Sequence, residues 1–376
     1  MRTRRWSLIA GLLLTVLVEI ARGAEPVEIG TTIYVKSRDV QIRVEDRIVG
    51  TGADLQHTVK VRKVSGDWLW VWVEAKKVEG WIKRSDVCTA SEAIPYFTDQ
   101  IAANPKDVRA YQKRGTAWEE LGNLDKALDD VTQMIRLRPD SAAAYNSRGL
   151  KWKTKGEYDI AIKDYDEAIR LDPKFSAAYL NRAVAWALKG ELEKAIADHD
   201  EAIRLDPKDA NVYIDRGLTW SNNGELDKAL ADYDEAIRLD PKHALAYSNR
   251  GLTWLRKQEY DKSIADYNEA TRLDPKFVSP YNGRAWVYAT CPNEKYRDGA
   301  KAVENATKAC ELSGWKVANN LSTLAAAYAE VGQFDKAVET QQKAKDLAIE
   351  KNKADYQKDL DLYKSGKPYR DEPKAK

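Results

Sequence analysis

DEAIRLDPK stands at residues 166–174, recurs letter for letter at 200–208 and 234–242, and is followed by NEATRLDPK at 268–276. Each copy begins 34 residues after the last. The same step joins Pro105, Pro139, Pro173, Pro207, Pro241 and Pro275; Tyr111, Tyr145, Tyr179, Tyr213, Tyr247 and Tyr281; and Trp118, Trp152, Trp186, Trp220 and Trp254. A period this long marks a supersecondary unit stacked on copies of itself, not a coiled-coil heptad.

The unit at 210–243, ANVYIDRGLTWSNNGELDKALADYDEAIRLDPKH, shows what is being repeated. Tyr213, Gly217 and Trp220 fall four and three apart on one helical face, and Ala229, Tyr233 and Ala236 repeat that spacing on a second segment. Asn222, Asn223 and Gly224 lie between them, where a Gly ends a helix in the left-handed conformation, and Asp240-Pro241 stops the second segment. The pattern predicts a helical hairpin. Gly217 and Ala229 let its helices close, while Tyr213 and the periodic Trp fill the core. Neither helix hides its apolar face alone, so the units must stack.

At these positions the chain resembles the tetratricopeptide repeat, a 34-residue hairpin with small, aromatic and Pro residues at fixed offsets. Five full units match, at 108–141, 142–175, 176–209, 210–243 and 244–277. Residues 91–107 read as a leading helix. A degenerate sixth unit spans 278–314, lengthened by about five residues around Cys291-Pro292-Asn293, and a seventh spans 318–351. A capping helix at 352–365 and a disordered tail at 366–376 complete the chain. Where the family commonly carries Leu, this sequence has Arg114, Arg148, Arg182, Arg216, Arg250 and Arg284, accompanied by Asp130, Asp164, Asp198, Asp232 and Asp266. The seventh unit has Leu324 and Thr340 instead. An unpaired Arg on a packed face is costly, so each Arg is expected to bond an Asp of its own or the preceding unit.

Residues 25–90 read as a small all-β barrel, so the expected fold class is multidomain, a barrel followed by an all-α solenoid. Thr31–Val35, Gln41–Val44, Thr58–Val64, Asp67–Val73 and Gly80–Ile82 are short β-branched and aromatic segments divided by Gly, Asp and Lys. The stretch GDWLWVWVEAKKVEGWIKRSDV, 66–87, resembles bacterial Src-homology-3-like domains. Trp68, Trp70 and Trp72 alternate with Leu69, Val71 and Val73, so the three Trp share one strand face. That face is expected either to pack or to form an aromatic platform for a glycan or Pro-rich peptide.

At the start of the chain, Arg2, Arg4 and Arg5 precede an apolar run from Leu8 to Val18, closed by Ala21-Arg22-Gly23-Ala24. This is the layout of a signal peptide at 1–23, cut after Gly23 or alternatively Ala24, and it predicts a periplasmic or secreted protein. The run is about half of the roughly 20 residues that cross a bilayer, so no span is expected in the mature chain. The full sequence of 376 residues carries 61 Lys and Arg against 59 Asp and Glu, and removing 1–23 leaves 57 against 58. No basic excess exists to hold phosphate backbones, which argues against nucleic acid.

No catalytic constellation, metal-ligand spacing or phosphate loop stands out, so neither enzyme activity nor a cofactor is expected. Cys88, Cys291 and Cys310 are odd in number, and the last two fall at opposite ends of one helix, too far apart to pair. His57, His199 and His243 are isolated; His199 replaces a periodic aromatic and reads as a packed core residue. Function is therefore expected on the first helix of each unit. There Asn146, Leu150, Leu180, Asn181, Val184, Ile214, Leu218, Ser221, Asn222, Asn249, Leu252 and Leu255 are expected to line a groove. Asn offers a donor and an acceptor to a peptide backbone and the aliphatic row offers apolar area, so the expected partner is a protein or peptide segment. The alternative is a cell-wall glycan held by Trp68, Trp70 and Trp72, with the repeats as a spacer.

Overall fold

A computed structural model describes residues 27–37, 39–44, 47–51 and 58–371; the expected signal peptide, His57 and residues 372–376 lie outside them. The described strands are Thr32–Val35 (β1), Gln41–Val44 (β2), Arg47–Thr51 (β3), Val59–Ser65 (β4), Trp68–Val73 (β5), Val78–Lys83 (β6) and Val87–Cys88 (β7). The helices that follow are Ala90–Ala103 (α1), Val108–Glu120 (α2), Leu124–Leu137 (α3), Ala142–Thr154 (α4), Tyr158–Leu171 (α5), Ser176–Leu188 (α6), Leu192–Leu205 (α7) and Ala210–Asn222 (α8). They continue with Leu226–Leu239 (α9), Ala244–Arg256 (α10), Tyr260–Leu273 (α11), Val278–Thr290 (α12), Gly299–Leu312 (α13), Ala318–Glu330 (α14), Phe334–Leu347 (α15) and Lys353–Lys364 (α16). Two compact units result, one ending at Pro173 and the next beginning at Lys174.

The strands of the first unit form one antiparallel sheet in the order β3-β2-β6-β5-β4-β1-β7. This corrects the expected barrel, because the sheet stays open with β3 and β7 at its edges. Helices occupy the β7 end instead: Tyr34 of β1 and Cys88 of β7 are buried in one cluster with Ala93 and Phe97 of α1 and Ala110 and Ala117 of α2. The inner face holds Ile33, Ile42, Val61, Leu69, Val71, Val73, Ile82 and Val87. Polar bonds fasten sheet to helices. The Tyr34 hydroxyl donates to Glu120 at 2.7 Å, Arg84 bonds both carboxylate oxygens of Glu92, and the buried Lys113 ammonium donates to the Val35 carbonyl at 2.7 Å. Burial lowers Lys113 to about 8.

In the second, fourth and fifth repeats the first-helix Gly meets a Tyr ring, whereas Gly115 of the first meets Asp130 and the Ala127 carbonyl. Gly217 faces Tyr233 so closely that an added Cβ would stand 2.7 Å from the ring, and Gly149 meets Tyr165 at 2.5 Å in the same way. Such contact with a rigid ring excludes any larger residue. In the third unit Ala183 replaces the Gly, and the smaller His199 replaces the Tyr. The periodic Trp residues also depart from expectation, being half-buried rather than core. Each lies on the hairpin flank beneath a Lys, with Lys228 4.3 Å above Trp220 and Lys262 4.3 Å above Trp254. Gly224 turns the chain at φ +84°; at the equivalent place in the fifth unit Gln258 adopts φ +63°.

The Arg and Asp residues pair as expected. Arg216 donates from Nε and Nη2 to both oxygens of Asp232 in its own unit, at 2.9 and 2.6 Å, and from Nη1 to Asp200 of the preceding unit at 2.5 Å. Arg250 repeats this with Asp266 and Asp234. Arg114, Arg148 and Arg182 clasp Asp130, Asp164 and Asp198 in the same two-bond manner. The Asp carboxylates are nearly fully buried. In the sixth unit the partners turn neutral: Arg284 donates to Asn305 from Nε and Nη2, and to Asn268 from Nη1.

Candidate functional site

In the second unit the first helices α8, α10, α12 and α14 lie side by side, each touching the next. Their shared surface carries Leu218 and Leu252, both exposed, Asn222, also exposed, and Asn249 and Leu255, half-buried. On α6, Asn181 and Val184 are half-buried, as is Leu150 on α4 of the first unit. Asn146 and Ile214 do not belong to an open surface. Ile214 is 2 % exposed, in a core cluster with Tyr213, Ala229 and Tyr233, and Asn146 is buried too. Ser221 is likewise inside, accepting a bond from Arg256. The helices rotate those positions toward their neighbours, which a reading of one hairpin in isolation does not capture.

A cavity of about 790 Å³ opens on this face, between Leu252, Leu255 and Arg256 of α10, Asn282 and Trp286 of α12, and Asn319 and Thr323 of α14. Leu252 and Leu255 are the expected site residues it gathers, and Trp286, on the groove side of the sixth repeat, adds an aromatic wall. The buried Asn282 Oδ1 accepts no hydrogen bond. Tyr369 and Asp371, from the segment expected to be disordered, also line it. That expectation is corrected for residues 366–371. The Tyr369 ring lies 5.5 Å from that of Trp286, whose indole N–H donates to Asp371 at 3.0 Å. Gly366 at φ +70° ends α16 and redirects the chain.

On the sheet, Trp68, Trp70 and Trp72 line the face away from the inner core and are half-buried. Trp70 meets Trp81 edge-on at 5.0 Å and donates its indole N–H to Glu79 at 2.8 Å, and Trp72 donates to Glu74. Lys83, Lys63 and Arg62 overlie the three rings at 5.5, 5.8 and 5.3 Å. The row is thus already engaged by its own cations and carboxylates. Cys88, Cys291 and Cys310 are buried and free, and among the described residues no cluster of His, Cys, Asp and Glu could hold a metal ion. No described helix is long and apolar enough to cross a membrane.

Sequence comparison agrees with the hairpin geometry, for the tetratricopeptide-repeat family model matches residues 90–142, 154–210 and 215–276. The matched residues are tetratricopeptide repeats. No curated protein sequence matches it. Among solved structures, yeast Tom70 is 21% identical over 73% of this chain and 59% of its own, with a TM-score of 0.57. A tetratricopeptide repeat protein from Parabacteroides merdae is 19% identical over 68% of this chain and 98% of its own, with a TM-score of 0.52. At such identities the likeness concerns the fold. The tetratricopeptide repeats set the first helices in a row, and that row supplies the surface described above.

Proposed function

We propose that this is an exported, noncatalytic scaffold that binds a protein segment across the first helices of its tetratricopeptide repeats. The observation that carries the reading is the cavity beside Leu252, Leu255 and Trp286, whose wall sets these apolar side chains beside the polar Asn282, Asn319 and Thr323. That combination suits a peptide, which brings side chains for the apolar walls and backbone polar groups for the amide and hydroxyl ones. The test is crosslinking capture from an envelope fraction with wild type and Leu252→Asp. The charged variant is expected to lose specifically captured partners while keeping its thermal transition; an unchanged set of partners would overturn the assignment.

Export rests on residues 1–23 and predicts a mature N-terminus at Ala24 or Glu25. N-terminal sequencing that begins at Met1 would refute it. The first domain's likeness to Src-homology-3-like domains, and glycan binding through Trp68, Trp70 and Trp72, form the second reading. It draws on the aromatic row itself, and it requires Lys63, Lys83 and Arg62 to yield to the sugar. Full-length protein that stays in the supernatant with purified wall material would remove it.

A further inference from the structure

The last described residues approach the repeats as a ligand would. Beyond α16, Gly366 and Lys367 are exposed, whereas Pro368 to Asp371 are half-buried. The contacts concentrate on the C-terminal end of α12. A helix end leaves its last carbonyls without intrahelical partners. Here the Thr290 carbonyl accepts from the Asp371 backbone N–H at 2.9 Å, and the Ala289 carbonyl accepts from the Arg370 guanidinium at 3.3 Å. Arg370 also pairs with Glu330 of α14 at 2.7 Å, and that carboxylate receives Arg297 on its other oxygen at 3.2 Å. Tyr369 covers the Trp286 ring, and the Trp286 N–H reaches Asp371. Three successive side chains thus meet three different chemistries: an aromatic ring, a half-buried carboxylate, and an indole N–H.

We propose that the end of α12, with Trp286 and Glu330, is a recognition subsite for an extended segment of aromatic–Arg–carboxylate sequence, and that Tyr369-Arg370-Asp371 is its intramolecular occupant. This rests on the first-helix face being a peptide site and names the class of segment it selects. The arrangement is specific in each register. The Trp286 ring takes a tilted aromatic partner, Glu330 takes a cation that can also reach a carbonyl, and the Trp286 N–H takes an acceptor. The cavity runs on past Tyr369 toward Leu252, so an external segment can dock beyond the tail and then displace it. A tethered occupant acts at an effective concentration on the order of millimolar, so the partner competes with it rather than meeting an open site.

The experiment uses the full chain and a fluorescent synthetic peptide, Ser-Gly-Lys-Pro-Tyr-Arg-Asp, copied from residues 365–371. The Tyr369→Ala/Arg370→Ala double variant is expected to bind it at least tenfold more tightly than wild type. A peptide with Arg exchanged for Glu should lose at least tenfold against that variant. Binding to neither protein, or equally to both, overturns the proposal. Should the double variant fail to fold, wild type answers alone: excess unlabelled peptide must speed amide exchange of the 366–371 segment severalfold, and unchanged exchange overturns the proposal. Peptide failure combined with partner capture that still responds to Leu252→Asp sinks this subsite only. Capture indifferent to Leu252→Asp sinks the groove reading beneath it.

Discussion

The fourth and sixth repeats are similar hairpins held by different chemistry. Arg216 is clasped by Asp232 and Asp200, and these carboxylates raise its pKa above the ordinary arginine value. Arg284 occupies the matching place but faces the amides of Asn305 and Asn268, and burial lowers it. The seventh repeat abandons the pair for Leu324, 1 % exposed, and Thr340. What the fold needs at this position is therefore a satisfied group, whether ionic, amide or apolar. A buried guanidinium with nothing beside it is the arrangement the chain avoids.

Removing one half of the clasp should break the comparison most severely. Asp232→Ala removes two of the three bonds to Arg216 and leaves it Asp200 alone, and is expected to cost about 3 kcal/mol, read as a lower urea midpoint. Transplanting the seventh repeat's solution, Arg216→Leu with Asp232→Thr, should cost clearly less than the single change, because both charges leave together. Equal losses would mean that the ionic bonds themselves, rather than their completeness, stabilise the hairpin.

The third repeat sharpens the same lesson with shape in place of charge. His199→Tyr should lose about 1–3 kcal/mol through overpacking, because the Ala183 methyl stands where the Tyr-bearing units have Gly. Adding Ala183→Gly should restore most of that loss. His199 also predicts a pH dependence. Burial first, and then Arg216, lower it to about 4 from an ordinary 6.5. The unfolded chain binds the proton more readily, so stability is intact above about pH 6.5 and falls toward pH 4, by up to about 1.4 kcal/mol per unit. Denaturation midpoints followed across that window should lose this component in the Ala183→Gly/His199→Tyr pair.

Asn305→Asp gives the sixth repeat the fourth repeat's chemistry. Its gain should be small, about 1 kcal/mol, because the new carboxylate replaces an amide whose N–H₂ also donates to the Lys301 carbonyl at 2.7 Å. A loss in the same thermal assay would show that the Lys301 bond outweighs the ion pair. The smallest effect is expected at the turn of the fifth repeat. Gln258→Gly removes a side chain from φ +63° and should stabilise by about 0.5–1 kcal/mol.

The repeated helices were legible because a 34-residue period fixes spacing many times over, and the Arg–Asp pairing followed from one rule about buried charge. The sheet was harder. Strand β3 contains Gly50 and Thr51, and β7 has only two residues, so neither announces itself by alternation; without them an open sheet reads as a barrel. The site was legible only in part. Leu252 and Leu255 could be placed on a helix face, but the burial of Asn146 and Ile214 depends on how successive helices rotate against each other. The docking of Tyr369 had no signal at all, because a short polar segment rich in Lys, Pro and Asp has the composition of a tail. Its order comes from the carbonyls at the end of α12, some 80 residues away in sequence.

The Arg clasp also bears on how such an array is inherited. The first Asp of the 200–208 and 234–242 copies is the residue that reaches the next unit's Arg, while the Asp two places before it serves the Arg of its own unit. Each of these repeats thus reaches its predecessor through its Arg and its successor through that first Asp. A duplicated stretch of 34 residues inserted between the third and fifth repeats arrives with both junctions already compatible, so the array can lengthen there in a single genetic step. Past Asn268 a new copy would meet neutral partners, and the same event would require further mutation.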